Sequence, residues 1–74
     1  MKVMDAIKEV MVHKDVKQAA LRSRLGISQQ ALSARFTQEN VSIGKANEML
    51  RAMDYKIVIM PREARIPEGG YEVE

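Results

Sequence analysis

The sequence predicts a small, mostly α domain: four helices followed by a short C-terminal β-strand. Three observations lead there. The chain has 74 residues and no cysteine, so one core must form without disulfides or thiolate metal ligands. Apolar residues recur at steps of three and four, the period of one helix face, in successive segments as far as Met53. Beyond them "YKIVIMP" crowds β-branched residues in front of Pro61, which predicts a short strand at about 55–60. A chain this short buries only about 60 % of the surface its unfolded form exposes, so every apolar stripe is expected to serve the same core.

The first helix is predicted over residues 2–13, where Val3, Met4, Ile7, Val10 and Met11 share a face. His13, the single histidine, falls at its end, where a partly positive imidazole is mildly favourable. A second helix runs from Lys17 to Leu25, burying Ala20, Leu21 and Leu25, with Val16 as a staple just outside it. Gly26 ends it by accepting the left-handed conformation. Ser28 is an N-cap for a third helix from Gln29 to about Phe36. Its Ala31, Leu32, Arg35 and Phe36 lie on one side, and Gln29, Gln30, Ser33 and Thr37 on the other. "TQEN" is a polar connector, and Ser42 caps a fourth helix with the stripe Ile43, Ala46, Leu50 and Met53, closed by Asp54. The tail over 61–74 mixes charge with Pro67, Gly69 and Gly70 and is expected to be extended or flexible.

Net charge is +2, unevenly distributed. Residues 1–36 hold seven Lys and Arg against three acids, and residues 37–74 hold five against seven. Between Asp15 and Glu39 there is no acid, while Lys17, Arg22, Arg24 and Arg35 all fall in that window. Such a surface suits an anionic partner. The N-terminus has no signal pattern and no apolar run approaches the ~18 residues of a membrane span, so a cytoplasmic protein with no membrane partner is expected.

Catalysis is not expected. There is no Gly-rich phosphate loop, no H-E-x-x-H and no nucleophile elbow, and "IGKA" at 43–46 lacks the spacing of a Walker loop. One histidine without cysteine cannot build the usual zinc site, so neither metal nor cofactor is expected. The methionines Met4, Met11, Met49 and Met53 sit on or beside helix stripes and fill gaps in a small core.

The adjacent Gln29 and Gln30 call for a different account. The helix starts at Lys17, Gln29 and Ile43 lack a nearby downstream acid, although first turns ordinarily welcome one. N-termini kept free of carboxylate suit phosphate oxygens from outside. A glutamine at the front of a helix in the major groove can match the N6 and N7 edge of adenine in bidentate fashion. Two short helices joined by a tight turn at Gly26 are, physically, a helix-turn-helix over residues 17–36.

These residues resemble the Cro and phage-repressor (Xre-type) helix-turn-helix family from about Met4 to Met60, with "KQAALRSRLGISQQALSARF" as the centre. The resemblance implies a lambda-repressor-like DNA-binding domain over residues 1–60. Gln18 matches the family's frequent glutamine in the first motif helix, which meets the DNA backbone and buttresses the recognition helix. Gly26 matches the turn glycine, and Ile27, Leu32 and Phe36 fill apolar positions. Gln29 and Gln30 fall where such repressors place base-contacting glutamines. Two positions depart from the pattern: Arg22 stands where a small residue is usual, and Lys17 replaces the usual Ser or Thr cap.

The resulting expectation is a transcriptional regulator, a repressor, that binds a pseudo-palindromic operator in double-stranded DNA as a homodimer. Base contacts fall to Gln29, Gln30, Ser28 and Ser33, and phosphate contacts to Lys17, Gln18, Arg22, Arg35 and Lys45. Ile57, Val58, Ile59 and Met60 do not alternate with polar residues, so both faces of that strand need cover. Pairing or packing with its counterpart in a second copy would supply it, the alternative being a single strand tucked against its own helices. The alternative is a protein-interaction module, such as an antitoxin or anti-repressor, in which the acidic tail from Glu63 to Glu74 folds on a partner.

Overall fold

The computed structural model describes residues 1–38 and 40–74. It contains α1 (Val3–His13), α2 (Gln18–Leu25), α3 (Gln29–Thr37) and α4 (Ile43–Arg51). Glu39, in the expected polar connector, lies outside the described residues. No helix among the described residues is long and apolar enough to cross a membrane.

Three of the four helices end in the same way. Asp15, Gly26 and Asp54 take the left-handed conformation, with φ of 53°, 67° and 61°. The next N–H then reaches back across the helix end: Val16 N–H donates to the Met11 carbonyl (2.8 Å), Ile27 to Arg22 (3.3 Å) and Tyr55 to Leu50 (2.9 Å). This six-to-one bond marks a Schellman closure. Each closure directs an apolar residue back inward, and Val16, Ile27 and Tyr55 all pack on the core. Gly26 adopts this geometry without cost, whereas the aspartates pay some steric strain.

Helix starts divide into two kinds. The Ser28 hydroxyl accepts from Ala31 N–H (3.1 Å) and the Ser42 hydroxyl from Lys45 N–H (3.2 Å), capping α3 and α4. Lys2 and Lys17, at the starts of α1 and α2, make no side-chain cap.

α1 packs on α4, α2 on α3, and α2 on α4. Ile7 and Val10 of α1, Leu21 of α2, Leu32 of α3, and Met49 of α4 with Met53 just beyond it form the fully buried centre. No polar or charged residue is buried among the described residues. α1 and α2 bury or half-bury their expected stripes, α3 buries Leu32 and half-buries Arg35 and Phe36 but leaves Ala31 exposed, and α4 buries Ala46 and Met53 and half-buries Leu50 of its expected stripe. Ile43, the remaining residue of that stripe, is 77 % exposed, and Met49 is fully buried in addition to the expected residues. The face of α4 that meets the core is centred on Ala46, Met49 and Met53, and Ile43 lies round the helix from that centre.

The predicted strand at about 55–60 is absent from the single chain. A strand is defined by a ladder to a second backbone, and no other described segment supplies one. Residues 61–74, expected to be extended or flexible, lie back on the helical unit. Tyr55 Oη donates to the Gly69 carbonyl (3.0 Å), Tyr71 packs against the core, and Glu74 N–H donates to the Met1 carbonyl (3.0 Å). Tyr71 supplies the burial that the charge of its neighbours conceals.

The left-handed closures predict opposite effects of two substitutions. Gly26→Ala should lower unfolding free energy by about 1 kcal/mol, and Asp54→Gly should raise it by roughly 0.5 kcal/mol, both read from urea denaturation midpoints.

Candidate nucleic-acid interface

The site is built from the turn between α2 and α3. Gly26 to Ser28 carry the chain from one helix to the next, and burial of Leu21 and Leu32 in one core fixes which faces point outward. On the outer side Gln29, Gln30 and Ser33 are exposed, as the helical period predicts.

Their hydrogen bonding distinguishes the two glutamines. Gln29 Nε2 donates to Gln18 Oε1 (3.1 Å) and to Ser33 Oγ (3.2 Å), tying the start of α3 to the start of α2 and to its own next turn. An amide nitrogen carries two hydrogens, so both are engaged and the carbonyl oxygen of Gln29 is the group it offers outward. The Gln30 amide makes no hydrogen bond among the described residues, leaving one donor side and one acceptor side open. The Ser28 hydroxyl is held by its cap but can still donate.

The basic residues fall into distinct settings. Lys17 flanks the start of α2, its ammonium 3.6 Å from Asp15, and both side chains are almost fully exposed. Such a pair is weakly held. Arg22 is half-buried on α2, and Lys45 is exposed in the first turn of α4. Arg35 differs: its side chain is only 14 % exposed and its guanidinium donates to Glu48 Oε1 at 3.1 Å. That ion pair fastens the end of α3 to α4 and engages the charge internally. α2, α3 and α4 have no acid in their first turns, whereas α1 has Asp5. The unpaired N–H groups of those three starts therefore keep their partial positive charge.

Sequence reasoning missed one basic contact. Arg24 Nη1 donates to the Ala52 carbonyl (3.0 Å), capping the end of α4 from α2. The two residues are 28 positions apart, and no local pattern announces the bond. Ile57, Val58, Ile59 and Met60 are all exposed, Ile59 completely. They lie together in the chain as an apolar run open to solvent.

No protein-family model matches this chain, and neither the curated proteins nor the solved structures contain a match.

The Ser28 cap carries a measurable share of the α3 start. Ser28→Ala should cost about 1 kcal/mol in denaturant unfolding and speed amide exchange at Ala31, the donor it leaves unpaired.

Proposed function

We propose that this chain is a sequence-specific double-stranded DNA-binding regulator, a repressor of the lambda-repressor-like type, with α3 as the helix that enters the major groove. The observation that carries the reading is the exposed start of α3, free of acid, where one glutamine is locked and its neighbour is open. A pre-set group such as the Gln29 carbonyl loses little entropy on binding, and the open amide of Gln30 keeps both a donor and an acceptor for a base edge.

In this reading Gln30 meets the N6 and N7 edge of an adenine with its free amide. Gln29 presents its carbonyl oxygen to an exocyclic amine, on adenine or cytosine. Ser33 holds Gln29 in place, and Ser28 reaches a base or phosphate through its remaining hydroxyl hydrogen. Lys17, Gln18, Arg22 and Lys45 meet phosphate oxygens, with the starts of α2 and α4 assisting. Arg35 is left out of the phosphate set because its charge is spent on Glu48.

The exposed run Ile57 to Met60 supports a homodimer on a pseudo-palindromic site. A second copy of the run gives each backbone the ladder partner that the single chain lacks, so the predicted strand forms only in the dimer. The two α3 helices would then sit roughly 34 Å apart, one turn of DNA. The tail has less support as a partner-binding element, since its aromatic anchor Tyr71 already packs on its own domain.

Selection from a randomised duplex pool, followed by anisotropy titration at two salt concentrations, tests the reading. A palindromic consensus should survive the higher salt, and retention of no sequence over random DNA would refute the assignment. On that consensus Gln30→Ala should cost about 1–3 kcal/mol and relax one base position. Lys45→Ala should weaken all sequences alike and lower the salt slope by about one.

Ile59→Glu tests the dimer separately. The residue is fully exposed, so thermal unfolding of the monomer should hardly change, while sedimentation should report loss of dimer and the operator titration should lose affinity.

A further inference from the structure

A groove of about 390 Å³ lies where the later part of α1, the start of α2 and the end of α3 come together. Its apolar lining comes from Met11, Val12, Val16 and Phe36, and the charged residues that line it are Lys8 and Lys17, the latter in its weak exposed pair with Asp15. A second groove of about 310 Å³ adjoins it across Lys8 and Phe36, adding Lys2 and a single acid, Asp5. Phe36, the chain's one phenylalanine, is only half-buried, and Val12 is 79 % exposed although the other outward positions of its helix are polar or charged. Val16, Met11 and Phe36 also pack on the core, but Val12 does not, so Val12 and the outer face of Phe36 are apolar surface that the core leaves open between two lysines.

We propose that this groove receives an acidic amphipathic segment of a partner protein, and that its occupancy excludes DNA. An apolar side chain of the segment seats against Phe36 and Val12, and its carboxylates meet Lys8 and Lys17. Charge complementarity selects this occupant. A nucleic-acid backbone would satisfy the lysines and leave Phe36 and Val12 facing hydrated phosphate. The exposed apolar run of a second copy, Ile57 to Met60, is flanked by Lys56 and Arg62 and would bring like charge against Lys8 and Lys17.

Exclusion follows from shared residues, and this step rests on the DNA-binding reading above. Lys17 and Gln18 line the groove and also belong to the proposed phosphate contacts. A carboxylate on Lys17 removes a cation from the DNA face, and chain lying across Gln18 covers the partner of Gln29.

The test uses the full chain and a short synthetic helical peptide with leucine on one face and glutamate on the other. A second peptide has lysine in place of every glutamate. Amide NMR titration should show saturable shifts at Lys8, Val12, Val16 and Phe36 with the glutamate peptide only, and the same peptide should displace the labelled selected duplex. Lys8→Glu and Val12→Ser, both at exposed positions outside the DNA face, should each weaken the glutamate peptide by about tenfold while the folded spectrum is kept. Absence of saturable shifts, equal binding of the lysine peptide, or shifts centred elsewhere would overturn the site. Shifts at these amides on concentrating the protein alone would assign the groove to a second copy and overturn the partner. Saturation without displacement of bound duplex would overturn the exclusion. Failure of the chain to bind any duplex before peptide is added would instead strike the DNA reading.

Discussion

The turn at Gly26 is the constraint on which the rest depends. Its φ of 67° lets α2 stop and α3 begin within three residues. Only then can Leu21 and Leu32, both fully buried, enter the same core from two helices that turn their polar sides outward. If α2 ran one turn longer, the apolar face of α3 would rotate away from α2, and Gln29 could not reach Gln18. The bond between those two glutamines is therefore a consequence of backbone geometry before it is a matter of side-chain chemistry. Asp15 and Asp54 repeat the closure at a steric cost, which two short polar side chains tolerate better than larger ones would.

What could be read in the sequence was what is decided locally. Ser28 and Ser42 cap because a hydroxyl three residues from a free N–H needs no help from elsewhere, and Gly26 ends α2 for a similarly local reason. The phase of α4 was not decided locally. Ile43, Ala46, Leu50 and Met53 satisfy a helical period, but so does Ala46 with Met49 and Met53, and packing on α1 and α2 buries Met49 while leaving Ile43 exposed. The run 55–60 has strand composition, but a strand also requires a partner, which composition does not encode. Among the site residues, the outward direction of Gln29, Gln30 and Ser33 was legible from the period of α3. The pairing of Arg35 with Glu48, and of Arg24 with the end of α4, joins residues from different helices and left no local signal.

These two arginines change how the acid-free window is read. Counted in the sequence, it contains four cations; in the folded domain Arg24 and Arg35 hold α4 in place, Lys17 lies 3.6 Å from Asp15 in an exposed, weakly held pair, and Arg22 is half-buried. Lys45 joins them from beyond the window. Formal charge along a chain thus overstates the electrostatic footprint wherever arginine also serves as a structural clamp. The polar uncharged groups at the start of α3 gain relative weight from this, since fewer free cations leave more of any selectivity to hydrogen bonding.

The return of the tail to the first residue has a mechanical consequence. Glu74 N–H donates to the Met1 carbonyl, so the points at which a pulling force would enter lie side by side. Tension applied there loads that bond and the ion pair between the Met1 ammonium and the Glu74 carboxylate (3.7 Å) first, then the packing of Tyr71, then the bond from Tyr55 to Gly69. The attachments yield in sequence, so the tail peels away as a zip opens. The two hydrogen bonds and the ion pair involve none of Leu21, Leu32 and Met49, so the centre of the core does not depend on the tail's own polar contacts.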